Sequence, residues 1–142
     1  MTAPIRIEAY RDAHFDGVRS LWLEAFPDDP PHNRAEVAIP AKLAVQPELL
    51  LVALDGETVV GTAMAGYDGH RGWLYSIAVR QTHRHRGIGT LLIAQAEQRL
   101  EKLGCSKINL QVRAENGAVA AFYRGLGNEV EQRVSMGKRV AG

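Results

Sequence analysis

Cysteine is nearly absent from this 142-residue chain, where Cys105 stands alone. An intramolecular disulfide is therefore excluded, and the fold does not depend on an oxidising compartment. No apolar stretch approaches the roughly 20 residues that a membrane-spanning helix needs. The start, Met1-Thr2-Ala3-Pro4-Ile5-Arg6, lacks the basic segment and apolar run of a secretory signal. An excess of one charge is missing too. A formal net charge of +1 is unlike a general nucleic-acid binder, which neutralises many phosphates and shows a strong basic surplus. Neither an internal repeat nor a low-complexity tract is present. These absences predict a cytoplasmic protein with no membrane or nucleic-acid partner.

What is present is ordinary for a globular protein: 46% hydrophobic and 23% charged residues. The length suits one domain over residues 1–142, long enough to bury a core. Ile5 to Tyr10 alternates as a strand. A helix with Phe15, Val18, Leu21, Trp22 and Ala25 on its core face must stop near Phe26, because Pro27, Pro30 and Pro31 cannot continue it. Asn33 to Val45 reads as one kinked helix or two short ones around Pro40. Glu48 to Leu54 and Thr58 to Tyr67 read as antiparallel strands, since Asp55-Gly56 between such runs is a hairpin signal. Gly61 and Gly66 in the second arm predict a bulge or a close backbone approach.

Trp73 to Val79 is a short apolar run of strand character. His83-Arg84-His85-Arg86-Gly87-Ile88-Gly89-Thr90 follows, and then Ile88, Leu91, Leu92, Ala96, Leu100 and Leu103 recur at helical spacing. Gly87 and Gly89 therefore open a helix. A helix N-terminus offers unpaired N–H groups and partial positive charge. Arg84 and Arg86 add fixed charge, so the turn predicts a phosphate or pyrophosphate site. A P-loop is excluded because Gly89 precedes Thr90-Leu91 rather than Lys-Ser or Lys-Thr, and a dinucleotide fingerprint because Leu92 occupies its third small position. Beyond Gly104, read as a left-handed helix stop, Lys107 to Arg113 is a further strand. A short helix follows, capped by Asn116, carrying Val119, Phe122, Tyr123 and Leu126 on one buried face and ending at Gly127. Glu129 to Arg139 holds two weak strand patterns.

Arg84-His85-Arg86-Gly87-Ile88-Gly89 resembles the Arg/Gln-x-x-Gly-x-Gly/Ala signature of the GNAT superfamily of acetyl-CoA-dependent N-acetyltransferases. Ile77-Ala78-Val79 matches the triplet that precedes that loop, and Asn116 to Gly127 resembles the later Asn-x-x-Ala-x-x-Phe-Tyr-x-x-x-Gly segment. Through Gly66 to Gly72 and Ser135 to Arg139 the chain is most similar to small bacterial YpeA-like members. The resemblance covers nearly the whole chain. It implies an α/β (α+β) fold with a mixed, mostly antiparallel sheet, flanked by helices and splayed between two parallel strands at Trp73 and Lys107. It implies acetyl-CoA as co-substrate, with no metal. The pantetheine arm would pair with Ser76 to Val79, Ile77, Ala78 and Val79 included. The pyrophosphate would rest on Arg84, His85, Arg86, Gly87, Ile88, Gly89 and Thr90, while Asn116, Phe122 and Tyr123 complete the cofactor set. An N–H near Ile77 or Val79 would meet the thioester oxygen, and Tyr123 would be the acid that assists the departing thiolate.

The acceptor implied is a primary amine of a small molecule, peptide or protein, and a homodimer is left open. The strand Trp73 to Val79 contains no carboxylate where several such enzymes carry a Glu base. Glu24, Asp68, His70 or a water chain are the alternatives. That gap also leaves open an inert CoA-binding regulatory module, and a weaker third reading makes His83 to Arg86 a nucleic-acid contact. His83 and His85 read as solvent-facing rather than as a metal pair, because no third ligand accompanies them. Cys105 reads as structural rather than nucleophilic. Trp22 and Phe26 are core or pocket wall. Asp28 and Asp29 are solvated loop charges that, in the family, would border the acceptor. Asn128 stands where an aromatic or apolar residue is usual.

Overall fold

In a computed structural model, which describes residues 4–141, the apolar patterns become five strands and four helices. These are β1 (Arg6–Ala9), α1 (Phe15–Ala25), α2 (Ala35–Leu43), β2 (Leu50–Asp55), β3 (Thr58–Tyr67), β4 (Gly72–Val79), α3 (Ile88–Lys102), β5 (Ile108–Leu110) and α4 (Gly117–Gly125). The sheet runs β1-β2-β3-β4-β5, antiparallel throughout except for the parallel pair β4 and β5. Two compact units divide between Gln111 and Val112, and the whole sheet belongs to the first.

β2 reads as a continuous apolar run because both its faces are covered. Leu50, Val52 and Leu54 join Val18, Leu21, Trp22, Ala35 and Ile39 in one core beneath α1 and α2. On the opposite face, a Cβ built on Gly61 would lie 2.9 Å from Leu92 of α3 and 3.4 Å from the Ala53 Cβ. That close approach is what the sequence predicts at Gly61; a Cβ at Gly66 meets only ordinary contacts from 3.5 Å outward. The hairpin forms at Asp55-Gly56-Glu57 with Gly56 at φ +62°. Pro40 sits inside one continuous α2.

Three expectations are corrected. In α3 the buried side chains are Ile88, Leu92, Ile93, Ala96 and Leu100, whereas Leu91 and Leu103 are exposed. The sheet turns the helix so that Ile93 replaces Leu91 in the seam. In the second unit no α4 side chain is buried, and Val119 and Phe122 are exposed. Among its described residues that unit has no strand, so it offers no sheet face of its own to cover the helix. Glu129 to Arg139 accordingly forms no strand; Val130, Val134 and Met136 alternate but are exposed. Alternation marks a face that burial would favour and does not supply a ladder partner.

Candidate active site

β4 is the strand on which the site is built. Its pairing with β5 ends after Gly72↔Ile108, Trp73↔Asn109 and Leu74↔Leu110. From Tyr75 onward β4 keeps β3 on one side and has no β5 partner on the other, which is the splay expected between these two strands.

The same stretch carries a bulge. The register passes from Met64↔Tyr75 to Thr62↔Ala78, so β4 gains one residue opposite Ala63. Ser76 takes the extra place with φ +48°, a left-handed backbone that non-glycine residues seldom adopt. N–H directions follow from the ladder. Gly72 donates to Lys107 O at 2.8 Å, away from β3, whereas Arg80 donates to Val60 O at 2.8 Å, toward β3. An unbroken strand would send both the same way, since they are an even number of residues apart. The bulge reverses the phase, pairs Ala78 with Thr62, and turns the N–H groups of Ile77 and Val79 to the open edge. The Arg84 Nε donates to Val79 O at 3.5 Å on that edge.

Next along the chain, a short turn is tied down before the loop opens. Arg80 donates to Val59 O at 2.8 Å and to Gly17 O at 3.1 Å. Glu24 accepts from the Gln81 N–H at 3.0 Å. The Nε2 of His83 donates to Asp55 Oδ2 at 2.9 Å while its Nδ1 accepts from Thr82 Oγ1 at 2.8 Å. The expectation that His83 faces solvent is thus corrected: only 17% of its side chain is exposed, because the hairpin carboxylate holds it. His85 is exposed as expected, at φ +64°.

Gly87, at φ +77°, is the N-cap of α3, with no side chain capping the helix. Leu91 makes the first helical bond, to Gly87 O at 3.0 Å. The N–H groups of Ile88, Gly89 and Thr90 precede it and have no intrahelical acceptor. A left-handed residue followed by right-handed ones turns such groups into one concavity. Arg84, Arg86 and Thr90 are exposed around it. Of the two glycines only Gly87 uses a positive φ; Gly89 is ordinary helix. The side chains of Ile88 and Ala78 are buried, so these two residues offer backbone only.

Comparison with known proteins identifies the family that carries this fold. A family model described as acetyltransferase (GNAT) family matches residues 15–127. The chain belongs to the GNAT acetyltransferase family. It is 39% identical over 136 residues to an acetyltransferase of Yersinia pestis, covering 96% of each chain, and 42% identical over 137 residues to one of Sodalis glossinidius, again with 96% of each covered. Among solved structures, the aminoglycoside N-acetyltransferase AAC(6')-Iy in complex with CoA shares the fold. Its TM-score is 0.79 at 22% identity, with 99% of this chain and 98% of that one covered. PaiA N-acetyltransferase of Thermoplasma acidophilum in complex with coenzyme A aligns with a TM-score of 0.71 at 18% identity over 93% and 94% of the two chains.

The remaining predicted residues of this GNAT chain lie as follows. Asn116 caps α4, its Oδ1 accepting from the Val119 N–H at 3.3 Å. Phe122 and Tyr123 meet edge to face with ring centroids 5.3 Å apart. Burial holds the Tyr123 hydroxyl above the usual phenol pKa. Of the candidate bases, His70 is exposed, whereas Glu24 and Asp68 are engaged elsewhere. The Glu24 carboxylate caps Gln81 and lies 3.8 Å from Arg80. Asp68 accepts from Arg71 N–H at 2.7 Å and His70 N–H at 2.8 Å, which hold its carboxyl below the usual range. Cys105 is buried, with its thiol donating to Lys107 O at 3.2 Å. Trp22 is core, and its edge joins Phe26, Asp29 and the paired Arg19 and Glu36 around a small open recess between α1 and α2. Sequence reasoning did not single out Thr62 or Arg80, and it read Asp55 only as a hairpin residue, not as the partner of His83. Their partners lie up to 63 positions away, and no local pattern marks such pairs.

Proposed function

We propose that this GNAT protein transfers the acetyl group of acetyl-CoA directly to a primary amine. The observation that carries the reading is the Ser76 bulge on the unpaired edge of β4, immediately before the uncapped start of α3. The pantetheine amides pair with the open groups of β4 between Ser76 and Val79. The pyrophosphate takes the N–H groups from Gly87 to Thr90, with Arg84 and Arg86 beside it. In this reading the thioester oxygen accepts from the Ile77 N–H, which stabilises the charge developing there as the amine attacks. The tetrahedral carbon then collapses, the C–S bond breaks, and the thiolate takes a proton from the Tyr123 hydroxyl. The raised pKa of that hydroxyl keeps its proton in place at neutral pH. With Glu24 and Asp68 engaged, the free-base amine attacks, His70 or water takes the proton its nitrogen sheds, and solvent restores the proton that Tyr123 gives up. Holding both reactants in attack geometry supplies much of the rate, on the order of 7–11 kcal/mol in favourable cases.

The test is release of free CoA from acetyl-CoA in a panel of small amines, amino acids and N-terminal peptides. Turnover with at least one class is expected; none with any, despite tight CoA binding, would make this an inert CoA-binding module. Tyr123→Phe should leave acetyl-CoA affinity near normal and lower kcat by roughly 10². An unchanged kcat would assign Tyr123 to packing.

A further inference from the structure

Ser76 is held in a backbone conformation that serine resists, and two buried side chains are in position to hold it there. The Thr62 hydroxyl donates to Ser76 O at 2.9 Å, and Thr62 Oγ1 in turn accepts from the Trp22 indole N–H at 2.8 Å. Thr62 is fully buried and Trp22 is 4% exposed. This chain joins α1, β3 and β4 at the one residue where the β4 ladder breaks phase. A buried threonine on an apolar sheet face is costly unless its hydroxyl is satisfied, and here both its donor and an acceptor site are used. Packing alone does not require it, since valine has nearly the same shape. Because the left-handed backbone at Ser76 is unfavourable for a side-chain-bearing residue, it persists only where its surroundings over-determine it. The Thr62 hydrogen bond fixes the Ser76 carbonyl, and the peptide plane that carries this carbonyl also carries the Ile77 N–H. To fix one is to aim the other.

We propose that Thr62 and Trp22 are positioning residues for acetyl transfer: through Ser76 they hold the Ile77 N–H at the angle that polarises the thioester carbonyl. The proposal rests on the oxyanion role of Ile77 given above. Neither residue touches the reacting atoms, and the two should rank in order. Removing the Thr62 hydroxyl releases Ser76 outright. Removing only the indole N–H leaves Thr62 still bonded to Ser76 but free to turn.

The experiment is infrared difference spectroscopy of acetyl-CoA, labelled with 13C at the acetyl carbonyl and bound to the protein; it needs no knowledge of the acceptor. In wild type the bound carbonyl stretch should fall below that of free acetyl-CoA. In Thr62→Val the band should return to the free frequency, with acetyl-CoA affinity changed less than about threefold. Thr62→Ser should keep the wild-type band, and Trp22→Phe should lie between. With an amine that supports turnover, Thr62→Val should lose up to roughly 10² in kcat, the scale of one lost oxyanion donor, with the acetyl-CoA KM little altered. If Thr62→Val does not fold, Trp22→Phe carries the test by its intermediate band. A wild-type band at the free frequency, with acetyl-CoA bound, would remove the oxyanion role and this proposal with it. A lowered wild-type band that stays lowered in Thr62→Val and Trp22→Phe would overturn the positioning role and leave the oxyanion reading standing.

Discussion

Gly72 shows how closely single residues are fitted. A Cβ there would lie 2.7 Å from Cys105 Sγ and 3.1 Å from Leu100 Cδ1. Neither neighbour is free to move aside, since both are buried. Gly72→Ala should therefore cost about 1–3 kcal/mol in urea unfolding, the scale of core overpacking. Cys105→Ala opens the same space, so the double variant should lose less than the sum of the singles by more than about 0.5 kcal/mol. Strict additivity would show that the clash is relieved elsewhere. His14 makes a second residue-scale case. Its side chain is 6% exposed, and Nδ1 accepts from the Arg11 N–H at 3.0 Å. Burial, and then the Arg11 charge, lower its pKa below the usual value. The unfolded chain therefore binds the proton more readily than the folded one. Stability from this group is full above about pH 6.5, the ordinary histidine value, and is lost as pH falls from there toward the depressed folded pKa. His14→Asn keeps an acceptor toward Arg11 and cannot titrate. Its unfolding free energy should vary less between pH 7.5 and 5 than that of wild type, and an equal slope would assign the acid sensitivity to other groups.

At the scale of elements, the start of α3 separates two glycines that look alike in sequence. Gly87 needs a left-handed backbone, with nothing within 4 Å of a built Cβ; Gly89 has helical geometry. Gly87→Ala should lower stability by about 1–2 kcal/mol through backbone strain alone. Gly89→Ala should leave stability unchanged or slightly raised, since alanine is the better helix former. On the proposed reading it should nevertheless weaken acetyl-CoA binding, because its methyl stands among the N–H groups that hold the pyrophosphate. Calorimetric titration beside thermal unfolding separates the two outcomes, and undiminished acetyl-CoA affinity in Gly89→Ala would move the pyrophosphate off this helix start. The end of α4 is specified just as locally. Gly127 at φ +96° donates to Arg124 O at 3.0 Å and Asn128 N–H donates to Tyr123 O at 3.0 Å, the paired bonds of a Schellman stop. The Asn128 side chain adds a third bond to Tyr123 O at 3.1 Å. An asparagine where the family usually has an aromatic or apolar residue therefore closes a helix.

At the scale of the molecule, the expected measurement is ligand-linked stability. Acetyl-CoA at ~100 times its dissociation constant should add about 2.7 kcal/mol and raise Tm accordingly. Replacing Arg84 and Arg86 together by Ala should shrink that shift for acetyl-CoA more than for acetyl-pantetheine, which lacks the pyrophosphate. Added salt should narrow the difference, because both arginines are exposed and screened. Equal losses for the two ligands would place the arginines away from the phosphates.

The sequence by itself determined what is local. Asp55-Gly56 makes its hairpin, the prolines after Phe26 end α1, Gly87 opens α3, and Gly104 and Gly127 adopt the left-handed backbone expected of helix stops. Turn chemistry, capping and periodicity act over a few residues, so they are written in adjacent letters. The motif around Gly87 carried the family for the same reason. Only the tertiary structure decided the rest: that Ile93 rather than Leu91 enters the core, that His83 is claimed by Asp55, and that β5 leaves β4 after Leu74. The bulge at Ser76 belongs there as well. A phase shift in a ladder is a relation between two strands, and the Trp22 and Thr62 side chains beside it come from two other elements. Such relations depend on which surfaces meet, and no window along one strand contains them.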